Sequence, residues 1–164
     1  MKKLENNRKT KTFTYKGLGV PVKLVNASMK KAMGVWFIAI NMNKLMQIVL
    51  DAIIHKPTAL TKDELRYIRT YLEMTMTNFG NAFGESHGAV LKWEGRQNRI
   101  SPPLELCIRL YVLNHLGAND EEFRAFYRKF NLHRLSKSLE REKYILVVDA
   151  TTDDMRRPAF SEMT

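Results

Sequence analysis

The stretch Thr75–Glu94 constrains the fold more tightly than any other part of the chain, because it meets the positional demands of two short helices locked at a steep angle. Gly80 removes a side chain where the second helix would cross the first most closely. Phe79 and Phe83 place large apolar groups on either side of that crossing. Gly84 suits the left-handed conformation that the turn requires. Thr75 and Ser86 stand where each helix needs an N-cap. Val90 and Trp93, three residues apart, form the inner face of the second helix. Glu85 follows the turn glycine at a place usually apolar, so it either points to solvent or distorts the turn. The expected local geometry is a helix-turn-helix over about Met76–Gly95.

Helix signals surround this segment. Thr61-Lys62-Asp63-Glu64 reads as a capping box, with Leu60 and Leu65 spaced for a hydrophobic staple and Leu65, Ile68 and Leu72 as the buried stripe. Upstream, Asn43 is placed to cap a helix that runs to about His55. Leu45, Ile48, Val49, Ala52 and Ile53 share one of its faces, and Lys56-Pro57 stops it. Downstream, Ser101-Pro102-Pro103 opens a helix to about Leu116, and Gly117 ends it. Asn119-Asp120-Glu121-Glu122 caps a further helix, whose Phe123, Phe126, Tyr127 and Phe130 read as a core stripe. Two or three short strands are expected between Phe13 and Ile40, with turns near Lys16-Gly17 and Met33-Gly34, and another strand over Tyr144–Val148.

The chain has 164 residues, 45% hydrophobic and 27% charged, which supports a packed core. Together these elements define an α+β fold that is mainly α: a helical bundle plus a small N-terminal antiparallel sheet. The net charge is +10, and residues 1–56 carry 11 Lys or Arg against 2 acids. A basic N-terminal third suits a polyanion partner; a solubilising tail has the same composition. No apolar run is long enough to span a bilayer, and the start of the chain lacks the apolar stretch of a secretory signal, so a cytoplasmic protein without a membrane partner is expected. The single Cys107 permits no internal disulfide and lies in an apolar helix pattern, where a buried, inert thiol is expected.

Leu60–Arg69, the Thr75–Glu94 segment and its ending Lys92-Trp93-Glu94 resemble the Xre/Cro-type helix-turn-helix superfamily. Over residues 58–116 the likeness is to the DNA-binding half of MqsA/HigA-like antitoxins. Tyr15–Val20 and Gly34-Val35-Trp36 are similar to the strand-rich N-terminal part of that group. Many of its members carry a cysteine zinc ribbon there; this chain has no cysteine before Cys107. The resemblance implies that the second helix, about Ser86–Glu94, enters the major groove of double-stranded DNA. Ser86, His87 and Gly88 would then reach base edges, with Lys92 one turn further on the same face. Ser86 is also suited to phosphate at the helix N-terminus, or to capping alone. Arg96, Gln97, Asn98 and Arg99 follow the helix and suit phosphate contact. Thr75 and Thr77, opening the first helix, complete the candidate DNA-binding set. Glu94 is expected to pair with Arg66 or Arg69 rather than to face phosphate.

The division that follows is a basic disordered arm over 1–12 and a strand-rich region with a helix over 13–57. The helix-turn-helix domain spans 58–117, a helix and strand suited to dimerisation span 118–150, and a loose tail covers 151–164. No catalytic residue, metal set or cofactor is implied. The four histidines show no ligand spacing, and Asp149, Asp153 and Asp154 sit at the edge of the tail. The leading expectation is a dimeric, autoregulatory transcriptional repressor. The alternative is an antitoxin-like interaction module that neutralises a toxin protein, with DNA binding secondary.

Overall fold

The computed structural model describes residues 7–95, 99–130, 144–151, 155 and 159–162. The fold is α+β and falls into two compact units, one comprising Met1–Val49 with Tyr144–Thr164 and the other Leu50–Lys143. The sequence division at residue 57 is therefore corrected: the boundary falls inside a helix, and the first unit is completed by the C-terminal segment.

The first unit is built on a five-stranded sheet: β1 (Arg8–Tyr15), β2 (Val22–Ala32), β3 (Val35–Ile38), β4 (Tyr144–Asp149) and β5 (Ala159–Glu162). Strand β2 is its spine. Along one edge it pairs antiparallel with β1. On the other edge, Met29–Ala32 pair antiparallel with β3, while Val22–Val25 pair parallel with β4. The N-terminal strands β1, β2 and β3 thus pair antiparallel as expected, and the addition of β4 in parallel makes the whole sheet mixed. The cause is burial: Leu146 and Val148 of β4 lie opposite Val22 and Leu24, and all four side chains are buried. Strand β5 pairs antiparallel with β4, so residues 159–162 belong to the sheet rather than to a loose tail; without β5 that edge of β4 would leave backbone groups unpaired.

The buried positions of β2 step from Leu24 to Ala27, an odd interval that breaks strict alternation. A bulge accounts for it. Phe13 faces Leu24 and Lys11 faces Ala27, so Val25 and Asn26 together oppose Thr12. Asn26 takes φ 54°, which Asn tolerates better than most residues, and its amide donates to Thr12 Oγ1 at 3.0 Å. Residues 8–12, expected as a disordered arm, form the first half of β1. Their side chains are exposed throughout, so no apolar alternation marks them; ladder hydrogen bonds to β2 hold them in place.

Helix α1 spans Met42–His55. Its cap is Asn41, not Asn43: the Asn41 Oδ1 accepts the Lys44 amide at 3.0 Å. The second unit continues with α2 (Lys62–Tyr71), α3 (Met76–Ala82), α4 (His87–Glu94), α5 (Pro102–His115) and α6 (Asp120–Lys129). The capping box opening α2 is formed as its sequence implies, with the Glu64 amide on Thr61 Oγ1 at 3.2 Å and the Thr61 amide on Glu64 Oε2 at 2.8 Å. Asn119 and Glu122 form the same arrangement at α6. Leu65, Ile68, Phe79, Val90, Ile108, Val112 and Phe126 are among the buried apolar side chains. The α6 stripe is only partly core: Phe126 is buried, Phe123 and Phe130 are half-buried, and Tyr127 is 64% exposed. Cys107 is likewise exposed rather than buried. The 118–150 segment does not act as one element, since α6 belongs to the second unit and β4 to the first.

A buried ion pair joins the α1–α2 connection to α5. Arg109 is fully buried. Its Nη1 donates to the carbonyls of Ile54 and Lys56, both at 2.7 Å, and its Nη2 to the Thr58 carbonyl at 2.6 Å. Glu105, one turn earlier on α5, accepts from Arg109 Nη2 at 2.6 Å and from the Leu60 amide at 2.9 Å. The carbonyls around Pro57 lie outside any helix ladder, and the planar guanidinium supplies their donors. Among the described residues, no helix is long and apolar enough to cross a membrane.

Candidate nucleic-acid interface

Helices α3 and α4 are each opened by a side-chain cap. Thr75 Oγ1 accepts the Asn78 amide and Ser86 Oγ accepts the Ala89 amide, both at 3.1 Å. After α3, Gly84 adopts φ 71°, and the Glu85 amide turns back to the Gly80 carbonyl at 2.9 Å. The chain leaving the turn presses on α3 at Gly80. A Cβ built there would lie 2.6 Å from the Glu85 carbonyl oxygen and 3.1 Å from that of Ser86. Only glycine fits so close a backbone crossing. Phe79 is fully buried beneath it, edge-on to Phe83 at 5.1 Å, and Phe83 in turn meets Tyr111 of α5 at 5.4 Å. Glu85 is half-buried, and its backbone forms a regular hydrogen bond of the turn.

Helix α4 is locked on one side. Val90 and Trp93 are buried, and Glu94 is 1% exposed. Glu94 takes Arg69 through two bonds, Nε to Oε1 at 2.6 Å and Nη2 to Oε2 at 3.0 Å, and Arg66 Nε at 3.3 Å. The expected pairing with Arg66 or Arg69 is therefore with both. Donating to the Glu94 carboxylate raises the pKa of Arg69 above its ordinary value, and Arg69 Nη1 also donates to the Met74 carbonyl at 2.9 Å. This network ties the end of α4 to α2 and to the start of the α3 segment. It also neutralises one of the two acids, Glu85 and Glu94, that lie between Thr75 and Gly95.

The opposite side of α4 is open. His87, Gly88, Leu91 and Lys92, at i, i+1, i+4 and i+5, are exposed and form one strip. The sequence-selected Ser86, His87, Gly88 and Lys92 thus come together on a single helix. Gly88 has open space around it: a Cβ would meet only Ser86 Oγ, at 3.7 Å. Thr75 and Thr77 are exposed at the start of α3, and Arg99 is exposed beyond α4. Arg96 and Asn98, with Gln97 between them, lie outside the described residues. Leu91, 53% exposed in the middle of the strip, is missing from the sequence-selected set. Its position off the Val90–Trp93–Glu94 stripe was the signal for it.

The capping hydroxyls keep further capacity. Ser86 and Thr75 each accept one backbone amide, and each retains an O–H to donate outward. Capping and anion contact are therefore compatible at both residues. Among the described residues, no group of three or more His, Cys, Asp or Glu side chains is arranged to hold a metal ion. No protein-family model, curated protein or solved structure matches the chain.

Proposed function

We propose that this protein is a sequence-specific, double-stranded-DNA-binding transcription regulator of the Xre/Cro helix-turn-helix type, with α4 as its recognition helix. The observation that carries the reading is the exposed strip His87–Gly88–Leu91–Lys92 on a helix whose other side is held by Val90, Trp93 and the Glu94–Arg66–Arg69 network. A groove-reading helix needs this combination of a fixed back and an exposed, acid-free front. Lys92 donates to guanine O6 or N7, and His87 donates to guanine or to phosphate. Leu91 packs on a thymine methyl, and Gly88 lets the backbone come close. Ser86, Thr75, Thr77, Arg96, Asn98 and Arg99 contact phosphate and set the register. The protein acts as a homodimeric repressor of its own operon, so its operator holds two half-sites roughly 34 Å apart or a multiple of that.

The test is fluorescence anisotropy on duplex DNA from upstream of the gene, against a scrambled duplex, at about 0.05 and 0.2 M salt. Binding that survives the higher salt only on the native sequence supports the reading; equal, salt-erased binding to both duplexes overturns it. Lys92→Ala is expected to cost ~1–3 kcal/mol on the operator and little on the scrambled duplex. Equal losses on both would reduce Lys92 to a phosphate contact.

A further inference from the structure

The first unit carries a second surface with nucleic-acid chemistry, on a different element from α4. Between Asn7 and Leu50 the chain has eight Lys or Arg and no Asp or Glu. The sheet register sorts these charges. Cross-strand partners project to the same face. Arg8 lies opposite Lys30 on β2, and Lys30 lies opposite Phe37 on β3. One row across three strands therefore reads Arg8–Lys30–Phe37. All three side chains are exposed, Phe37 at 53%. On the same face, the next row back is Thr10–Ser28, and the row beyond the bulge is Thr14–Lys23. The other face differs: there Leu24, Ala27 and Met29 are buried, and Lys9 lies over the Trp36 ring at 4.0 Å. Among the described residues, neither Arg8 nor Lys30 has an acidic partner.

An exposed aromatic ring in line with two cations, followed by hydroxyl-bearing rows, matches the needs of a single-stranded nucleic acid. The ring takes an unpaired base by stacking, which a base inside a duplex cannot offer. The cations take the phosphates on either side, and the hydroxyls suit sugar and phosphate oxygens. Neighbouring Val35, 56% exposed, and Met33, fully exposed at the β2–β3 turn, add apolar surface beside the ring. A bilayer surface would use the apolar turn but would find no role for the hydroxyl rows. We propose that this face of the β1–β2–β3 sheet binds single-stranded nucleic acid, with Phe37 as the stacking platform and Arg8 and Lys30 as its phosphate contacts.

The experiment titrates the full chain into a fluorescein-labelled oligothymidylate of about 15 nucleotides, with sedimentation on phosphatidylserine vesicles in parallel. The oligonucleotide is expected to bind. Phe37→Ala is expected to weaken it about 5- to 150-fold, whereas Phe37→Tyr, which keeps the ring, retains the affinity. Lys30→Gln is expected to lower the slope of log affinity against log salt by ~0.7. No binding to the oligonucleotide overturns the proposal, as does unchanged affinity in Phe37→Ala, equal loss in both Phe37 variants, or capture by the vesicles instead. The duplex titration is a separate measurement, so a failure of the operator reading leaves this result standing.

Discussion

Arg109→Met is expected to lower the unfolding free energy by about 3–5 kcal/mol, the range for removing one partner of a buried ion pair. The side chain it replaces is fully buried and holds the carbonyls of Ile54, Lys56 and Thr58 together with Glu105. Methionine fills much of the volume but donates nothing. Three carbonyls lose their donor, and the Glu105 carboxylate, itself 3% exposed, keeps only the Leu60 amide. An orphaned buried charge costs more than the pair contributed. Against a typical total of about 5–15 kcal/mol, such a loss leaves the domain marginal. Urea unfolding followed by circular dichroism measures it. The double variant Arg109→Met/Glu105→Leu separates the contributions: it is expected to be less destabilised than Arg109→Met alone, because the stranded carboxylate is gone. A shift of under about 1 kcal/mol for Arg109→Met would show that water reaches the site and solvates what the guanidinium leaves.

Gly80→Ala is expected to destabilise the fold by about 1–3 kcal/mol and, on the proposed DNA-binding reading, to abolish operator discrimination. Glycine to alanine inside a helix ordinarily stabilises by ~1 kcal/mol. Here the sign reverses, because the new Cβ would stand 2.6 Å from the Glu85 carbonyl oxygen, a backbone atom that cannot swing aside. The turn must lift from α3, and α4 moves with it. Gly88→Ala is the internal control, since its Cβ meets only Ser86 Oγ at 3.7 Å. It is expected to stabilise by up to ~1 kcal/mol. The same chemical change thus has opposite signs at two glycines of one motif. Thermal unfolding and duplex binding on both variants check this. A Gly80→Ala protein as stable as the parent would disprove the close crossing.

Features that depend on neighbours in the chain were legible from sequence. A cap needs an acceptor side chain and an amide two or three residues on, so Thr61, Thr75, Ser86 and Asn119 announced their helices. The turn between α3 and α4 was legible for the same reason, as was the open strip on α4, whose members follow from helical spacing around Val90 and Trp93. Leu91 was overlooked because an apolar residue next to a buried stripe reads as part of it. Among the candidate contacts, Ser86, His87, Gly88 and Lys92 share one exposed strip and its cap, and Thr75 and Thr77 open the preceding helix.

By itself, the sequence determined where α2, α3, α4 and α6 begin, how the α3–α4 turn is made, and that Glu94 pairs with arginines on α2. Each is a matter of spacing within a short stretch, and hydrogen-bond reach and helical periodicity decide it. Tertiary structure alone decided the sheet and the buried network. The polar residues 8–12 became a strand because β2 offered them a ladder. Tyr144–Asp149 joined β2 in parallel because Val22 and Leu24 needed apolar partners, and β5 followed to cover β4. Arg109, which as an isolated residue reads as surface charge, is buried because the carbonyls beside Pro57 had no other donor. Burial and pairing across long separations depend on what the rest of the chain leaves unsatisfied, and no local pattern records that.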